Sequence, residues 1–499
     1  MSGPVTAANI ATEESPASTT LRASVASGVR WGFITSSATQ VARFLFVVAL
    51  MRLLGPENYG IVAQAAVCIA VAQIFVHFGL AATIVQAPTL NRHEVGTAFW
   101  MNVLLGLLVA TVVILVAPLV ATAFDTEELT AVLRLLSLSI LLKSITVVPS
   151  ALLTRNMRFR ALGIVDISST LVSGMLGLGA ALMGADYWAL IVQAVSLEAL
   201  YLILIMSING LPELSWSRSA ARRLWSFSSR LMGADFVYYV SGNTDKFLVA
   251  WSLGPIPLGL YSLAFRVLQV VYQFFGQVGR VILPTFARLQ EDQERLLRIF
   301  LQVSQSVALA LSPAMTLVVL CAPTGVPAVF GDAWSGAVVP FQLLAAMTVP
   351  MMLASVMGPL TIAIGRPDWE FRWAIGTTIA GFVAFPIGLL WGIVGVAAAY
   401  LILATLQVPI RLVVTRYLIP FETREYYWSL IPAAACSAVL AVAWITTEVL
   451  LRATIDGVAL LTVASTVGCV VYVGVLKVGW PDVSRRQFDF FQSVLRRKL

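Results

Sequence analysis

Leu54-Gly55-Pro56-Glu57-Asn58-Tyr59-Gly60-Ile61 and Leu253-Gly254-Pro255-Ile256-Pro257-Leu258-Gly259-Leu260 share the pattern Leu-Gly-Pro-x-x-x-Gly-aliphatic, and each copy joins two long apolar runs. Glycine ends a helix readily because it tolerates the left-handed backbone of a cap, and proline starts one readily because a first-turn N–H has no intrahelical partner to lose. Each stretch therefore reads as a tight turn between two helices. The copies fall at the same point of two successive series of six apolar runs, which points to a duplicated six-helix unit. An even number of helices per unit leaves the two copies in the same orientation, so the halves stand parallel.

The runs themselves belong in a bilayer. Of 499 residues, 59% are hydrophobic and 11% charged, with a mean hydropathy of +0.89, whereas soluble domains carry roughly a quarter of their residues as charges. A spanning helix needs about 20 mainly apolar residues. Division at glycine, proline and charge punctuation predicts fourteen spans, over 29–53, 59–85, 95–123, 129–153, 161–183, 187–208, 225–250, 258–283, 297–321, 336–364, 369–391, 393–418, 426–449 and 456–478. The expected fold is an all-α polytopic membrane protein: two parallel six-helix lobes around a central cavity, plus two C-terminal helices. The lobes occupy 29–208 and 225–418, joined by a cytoplasmic linker over 209–224, with the extra helices in 419–478. Residues 1–28 read as a disordered tail and 479–499 as a basic amphipathic one. Such a basic amphipathic segment suits an anionic leaflet surface, and equally serves as a positive stop after the last span.

Charge placement orients the chain. With the N-terminus inside, 23 Lys and Arg fall in cytoplasmic segments or the span ends that adjoin them, and two, Arg52 and Arg452, at the external ends. Positive loops are retained in the cytoplasm, so both termini of a multi-pass membrane protein are expected there. The net charge of +7 serves this orientation, and no nucleic-acid partner is expected. Four cysteines in apolar runs and two histidines in the whole chain leave no metal-ligand spacing, and no phosphate-binding loop occurs. No cofactor is expected, and external loops this short speak against an enzyme.

Charges inside spans carry the functional signal, because each costs about 2.5–3.5 kcal/mol at mid-bilayer unless it faces a partner or a wet cavity. In the eighth span Ser262, Arg266, Gln269, Gln273, Gln277 and Arg280 advance by three or four residues, forming one polar stripe. The first span repeats this in Ser36, Gln40 and Arg43, the seventh in Asp235, Tyr239, Gly242 and Lys246, and Gln73 and His77 share a face of the second. These four spans hold equivalent places in the two halves, so a polar cleft between the halves is expected. Arg43, Arg230, Lys246 and Arg266 form its cationic set, with Gln40, Gln73, His77, Tyr239, Gln269, Gln273 and Gln277 as polar lining. Arg43 and Arg266 have no acidic residue at i±3 or i±4 on their own helices, which suggests an anionic group on the substrate; guanidinium grips phosphate through paired hydrogen bonds. Asp235 and Glu198 are titratable candidates for ion coupling. Glu198 also lies at the depth of Lys143, and a buried ion pair between them is the favoured reading.

Three stretches resemble one family: Leu152-Leu153-Thr154-Arg155-Asn156-Met157-Arg158-Phe159-Arg160-Ala161-Leu162-Gly163-Ile164-Val165-Asp166-Ile167; the turn Leu53-Leu54-Gly55-Pro56-Glu57-Asn58-Tyr59-Gly60; and Asn243-Thr244-Asp245-Lys246-Phe247-Leu248 followed by Leu253-Gly254-Pro255 and Leu258-Gly259-Leu260-Tyr261-Ser262. They look like bacterial polysaccharide flippases, the Wzx-type, polysaccharide-transporter branch of the multidrug/oligosaccharidyl-lipid/polysaccharide exporter superfamily, in its colanic-acid and exopolysaccharide subgroup. The resemblance runs from about residue 25 to 480. It implies a V-shaped pair of six-helix lobes whose central cavity opens alternately to the cytoplasm and the periplasm. The implied substrate is a polyprenyl-pyrophosphate-linked oligosaccharide, flipped outward for exopolysaccharide, capsule or O-antigen assembly, with membrane lipids, a polysaccharide polymerase and other assembly proteins as implied partners. The cationic set is assigned by position and chemistry, since no family motif specifies it. Two rivals are a cation-coupled multidrug antiporter of the same fold and a non-transport scaffold of a polysaccharide assembly complex. The antiporter would favour acidic cavity residues, and the cleft helices carry four bases against Asp235 and Asp245.

Overall fold

The computed structural model describes residues 16–77, 80–86, 91–210, 215–452 and 457–487, with some side chains within these ranges, those of 16–30 and 273–281 among them, left out. The described chain is helical: α1 Pro16–His77, α2 Leu80–Gln86, α3 Arg92–Ala123, α4 Leu129–Arg155, α5 Phe159–Leu182, α6 Trp188–Asn209, α7 Arg218–Leu253, α8 Pro255–Ala287, α9 Gln293–Phe330, α10 Val338–Ala363, α11 Pro367–Leu389, α12 Gly392–Leu418, α13 Thr423–Leu451 and α14 Gly457–Gly479, with a short 3₁₀ turn Asp332–Ala337 before α10. Eleven of these stretches are long and apolar enough to cross a membrane, counting Thr35–Val76 once. That stretch is 42 residues, or about 63 Å at 1.5 Å per residue, twice a hydrocarbon core of about 30 Å. It is two spans. Gly55, at φ 72° and ψ 174°, breaks α1 into two arms, and Pro56 starts the second. Counted so, twelve spans meet that measure among the described residues; α7 and α8, 36 and 33 residues long, stand where the seventh and eighth spans are expected and are long enough to cross.

Several boundaries differ from the expectation: α7 begins at Arg218, inside the expected linker, and α9 runs on to Phe330, past the expected end at 321. Helix α1 starts at Pro16, well inside the tail expected to be disordered, with proline in the first-turn position that suits it; residues 1–15 lie outside the described residues. The second arm of α1 stops at His77, and α2 follows as a separate short helix, in place of one span to residue 85. Arg411, counted among the cytoplasmic loop cations, lies within α12, bonded to Glu370 at 3.0 Å. Of the basic C-terminal tail, residues 481–487 are helical and 488–499 lie outside the described residues. Val483 is buried in the core around α9, and the Ser306 hydroxyl donates to Gln487 Oε1 at 2.7 Å, so the start of the tail docks on the bundle.

Helices α3 to α6 pack on one another and on α1, while α8, α9, α10 and α12 form a second group flanked by α7 and α11. Helices α13 and α14 lean on α9, outside both sets of six. The groups meet chiefly where α1 crosses α8, and the two Leu-Gly-Pro turns make that crossing. A Cβ at Gly60 would overlap the carbonyl of Pro255, and a Cβ at Gly259 would overlap the carbonyl of Pro56. The contact is reciprocal, as two like surfaces facing across a two-fold axis require. The carbonyls four residues before each turning glycine are also captured across the divide. Trp334 Nε1 donates to Met51 O at 3.0 Å, and Gln64 Nε2 donates to Ala250 O at 3.0 Å. Arg52 adds a hydrogen bond to Ala328 O at 3.1 Å. Trp334, Met51, Gln64 and Leu258 are fully buried there.

Any side chain at position 60 or 259 must push backbone against backbone, which cannot yield as a side-chain tip does. Gly60→Val or Gly259→Val should therefore part the halves at this crossing. A cysteine replacing Gln64 in a cysteine-free background should resist N-ethylmaleimide in the parent and react in either valine variant; equal protection in all three would show that the close approach does not hold the halves together.

Candidate functional site, a cation pair between α1 and α8

Next to the crossing of the two turns, α1 and α8 diverge enough to leave a cavity of about 170 Å³. Gln40 and Arg43 enter it from α1, Arg266 and Gln269 from α8, with Met51 and Phe330 as apolar walls. Helical spacing explains the convergence: 40 and 43, and 266 and 269, are one turn apart and share a face of their own helix. Arg43 and Arg266 are both exposed and make no ion pair among the described residues. Two guanidinium groups drawn toward one small cavity repel each other, and an anion between them offsets that repulsion. Met51 ties this cavity to the seal, because its carbonyl accepts from Trp334 while its side chain lines the cavity.

The other expected site residues divide into three groups. Lys246 is half-buried, its ammonium donating to Asn243 Oδ1 at 2.9 Å and lying 4.7 Å from the Phe265 ring centroid, within Coulombic reach of Arg266. Asp245 is its stronger Coulombic neighbour, ahead of Arg266, and Lys246 does not line the cavity. Tyr239 and Gln73 are partly buried on α7 and on the second arm of α1. The side chains of His77, Arg230, Asp235, Gln273 and Gln277 lie outside the described residues, although their backbones are helical parts of α1, α7 and α8. Glu198 Oε1 lies 3.3 Å from Lys143 Nζ, which also sits 5.5 Å from the Tyr201 ring centroid.

Two features escaped sequence reasoning because they join side chains on different helices. Asp166 of α5 is a Coulombic neighbour of Arg43 and of Lys143, so the lack of an acid on Arg43's own helix does not mean that none is near. Asp245 is almost wholly buried and accepts the Tyr261 hydroxyl at 2.9 Å, linking α7 to α8. Tyr261 follows Leu258-Gly259-Leu260 directly, and a buried phenol needs a partner. That was the signal available.

Residues 49–339, more than half of the chain, match the family described as "Polysaccharide biosynthesis protein". Among curated relatives, the chain is 25% identical over 396 residues to the lipopolysaccharide biosynthesis protein WzxC of Escherichia coli, spanning 77% of this chain and 79% of that protein. It is 27% identical over 375 residues to the succinoglycan biosynthesis transport protein ExoT of Rhizobium meliloti, spanning 72% and 74%. Identity to the teichuronic acid biosynthesis protein TuaB of Bacillus subtilis is 23% over 427 residues, spanning 84% and 88%. In fold the chain is similar to the lipid II flippase MurJ in an inward closed conformation, with a TM-score of 0.72 at 13% identity over 90% of this chain and 99% of that one. A mutant form of the Vibrio cholerae MATE transporter VcmN gives a TM-score of 0.51 at 10% identity over 81% and 100%.

The Lys143–Glu198 pair supplies a test of the bundle around the site. Neutralising either partner leaves the other charge orphaned. Because Lys143 keeps 30% of its side chain exposed, each single change should cost roughly 1–3 kcal/mol, below the ~3–5 kcal/mol of a fully buried pair. Lys143→Met with Glu198→Gln should recover most of the loss in a thermal-unfolding cycle. Additive losses would show that the two side chains do not support each other.

Proposed function

The chain belongs to the polysaccharide biosynthesis protein family, and from that membership we propose that it moves a polyprenyl-pyrophosphate-linked oligosaccharide from the cytoplasmic to the periplasmic leaflet. The observation that carries this reading is the convergence of Arg43 and Arg266 on one cavity between the halves. A pyrophosphate presents several acceptor oxygens and negative charge, and two guanidinium forks match both. The hydroxyls of the sugar need polar lining of the kind that Gln40 and Gln269 provide. The polyprenyl tail has no reason to leave the hydrocarbon and follows the head along the bundle. The relatives named for lipopolysaccharide synthesis and succinoglycan transport, and the lipid II flippase of like fold, support a lipid-linked saccharide as the cargo.

The arginine asymmetry assigns the two Leu-Gly-Pro turns to the periplasmic side. On that orientation the seal at Gly60 and Gly259 bars the cavity from the periplasm, and release of the head requires the halves to part there and close at the cytoplasmic ends. Asp235 is the candidate for ion coupling. Glu198, engaged by Lys143, is assigned to the bundle. The engagement of Glu198 by Lys143 and of Asp245 by Tyr261 also weakens the multidrug antiporter reading, because an organic cation needs a free carboxylate. A polysaccharide polymerase and other assembly proteins are the expected partners.

Orientation is tested by single cysteines at Asn156 and Glu127, both exposed. An impermeant thiol reagent applied to intact spheroplasts should label Glu127→Cys and spare Asn156→Cys until the membrane is opened. Labelling of both from outside would overturn the assigned sidedness.

Function is tested at the cation pair. Arg43→Ala or Arg266→Ala should abolish polysaccharide export with normal protein in the membrane, and Lys at either position should restore only part, since a point charge replaces a bidentate fork. Methionine at either site should rescue nothing. A double alanine variant that exports at the parental rate would exclude an anion-gripping role and leave the scaffold reading, in which the chain carries no cargo of its own.

A further inference from the structure

A second cavity, of about 470 Å³, lies between α10, α11 and α12, and none of its lining belongs to α1, α7 or α8. That volume falls within the roughly 300–1,000 Å³ of ligand sites. Its chemistry changes from one end to the other. Toward the middle of the bundle it is walled by Ala380, Leu403 and Leu406. Leu406 and Ile410, each 51% exposed on a spanning helix, place the opening on the lipid-facing side. Toward the end shared by the start of α11 and the last turns of α12, the lining becomes Trp369, Arg372, Trp373 and Arg411.

At that end most charge is already balanced. Arg411 donates to Glu370 Oε2 at 3.0 Å and to Ala354 O at 3.0 Å, while Thr361 donates to Glu370 Oε1 at 2.7 Å. Arg366 is paired with Asp368 at 3.0 Å. Arg372 is different: it is exposed, has no carboxylate partner among the described residues, and places its guanidinium 5.5 Å from the Trp369 ring centroid. Trp369 Nε1 and Arg411 Nε are buried donors with no acceptor among the described residues, and both residues line this cavity. Buried donors ordinarily find acceptors. Asp368 is a Coulombic neighbour of Arg372 but is bonded to Arg366, so an apolar trough open to hydrocarbon ends in one cation without an ion pair among the described residues, two donors without acceptors and two indoles, which is complementary to an amphiphile with an apolar chain and an anionic, oxygen-rich head. Basic pockets between spanning helices on the cytoplasmic side bind such lipid head groups, and the arginine asymmetry places this end in the cytoplasmic leaflet.

We propose that the cavity between α10, α11 and α12 holds an anionic phospholipid of the phosphatidylglycerol type, its chain along α12 and its phosphate at Arg372 and Trp369. Gly376 offers a clean probe, since it lines the cavity and a Cβ there meets nothing within 4 Å. Gly376→Leu fills the trough without touching the Arg411–Glu370 pair, and Arg372→Gln removes the cation alone. Purified full-length protein in detergent is melted with phosphatidylglycerol, with phosphatidylcholine of the same chains, with inorganic phosphate and with polyprenyl phosphate. The expected result is a rise of several degrees with phosphatidylglycerol and little with phosphatidylcholine or phosphate. Gly376→Leu should lose most of that increment, and Arg372→Gln should lose its preference for the anionic lipid. Equal shifts with the two phospholipids, or an anionic preference that survives in both variants, would overturn the proposal. A shift with inorganic phosphate alone would reduce the site to an anion contact. Stronger stabilisation by polyprenyl phosphate, lost in Gly376→Leu, would reassign the trough to the substrate tail.

Discussion

Gly60 and Gly259 each press against the proline carbonyl of the opposite turn, and the rest of the molecule is arranged around that approach. In hydrocarbon there is little hydrophobic force between helices, so close packing and captured polar groups must supply the attraction. Small residues permit the packing. The breaks at Gly55 and Gly254 interrupt the backbone ladder, and the nearby Met51 and Ala250 carbonyls are bonded from the other half by Trp334 and Gln64. One tight turn, used twice, thus provides the bend, the contact surface and the acceptors that join the halves.

The same crossing governs where polar side chains can survive. Beside it the helices diverge, and there Arg43 and Arg266 share a cavity too small to be a general solvent channel. Several other span charges are consumed in pairs or by hydroxyl donors, as Lys143 with Glu198, Arg411 with Glu370, and Asp245 with Tyr261. A charge within a span either finds such a partner or faces something that is not lipid. The two arginines between the halves take the second course. Met51, shared by seal and cavity, couples them sterically: parting the halves at Trp334 shifts a wall of the cation site.

Hydropathy, helix punctuation and helical period are local properties of the chain, and they made the all-α polytopic fold, the repeated Leu-Gly-Pro turn and the cationic character of the first and eighth spans legible in the sequence. The stripe Gln40–Arg43 and the stripe Arg266–Gln269 were legible for that reason, and so was the depth match of Lys143 with Glu198. Tertiary structure decided which stripes meet. It brought Arg43 and Arg266 to one cavity, placed Asp166 near Arg43, set Lys246 on Asn243 beside Phe265 and bonded Arg411 to Glu370. The first two outcomes depend on rotations and crossings of helices far apart in the chain. A helical period states which residues share a face, but only the packing of small residues such as Gly60 and Gly259 settles which face each one meets.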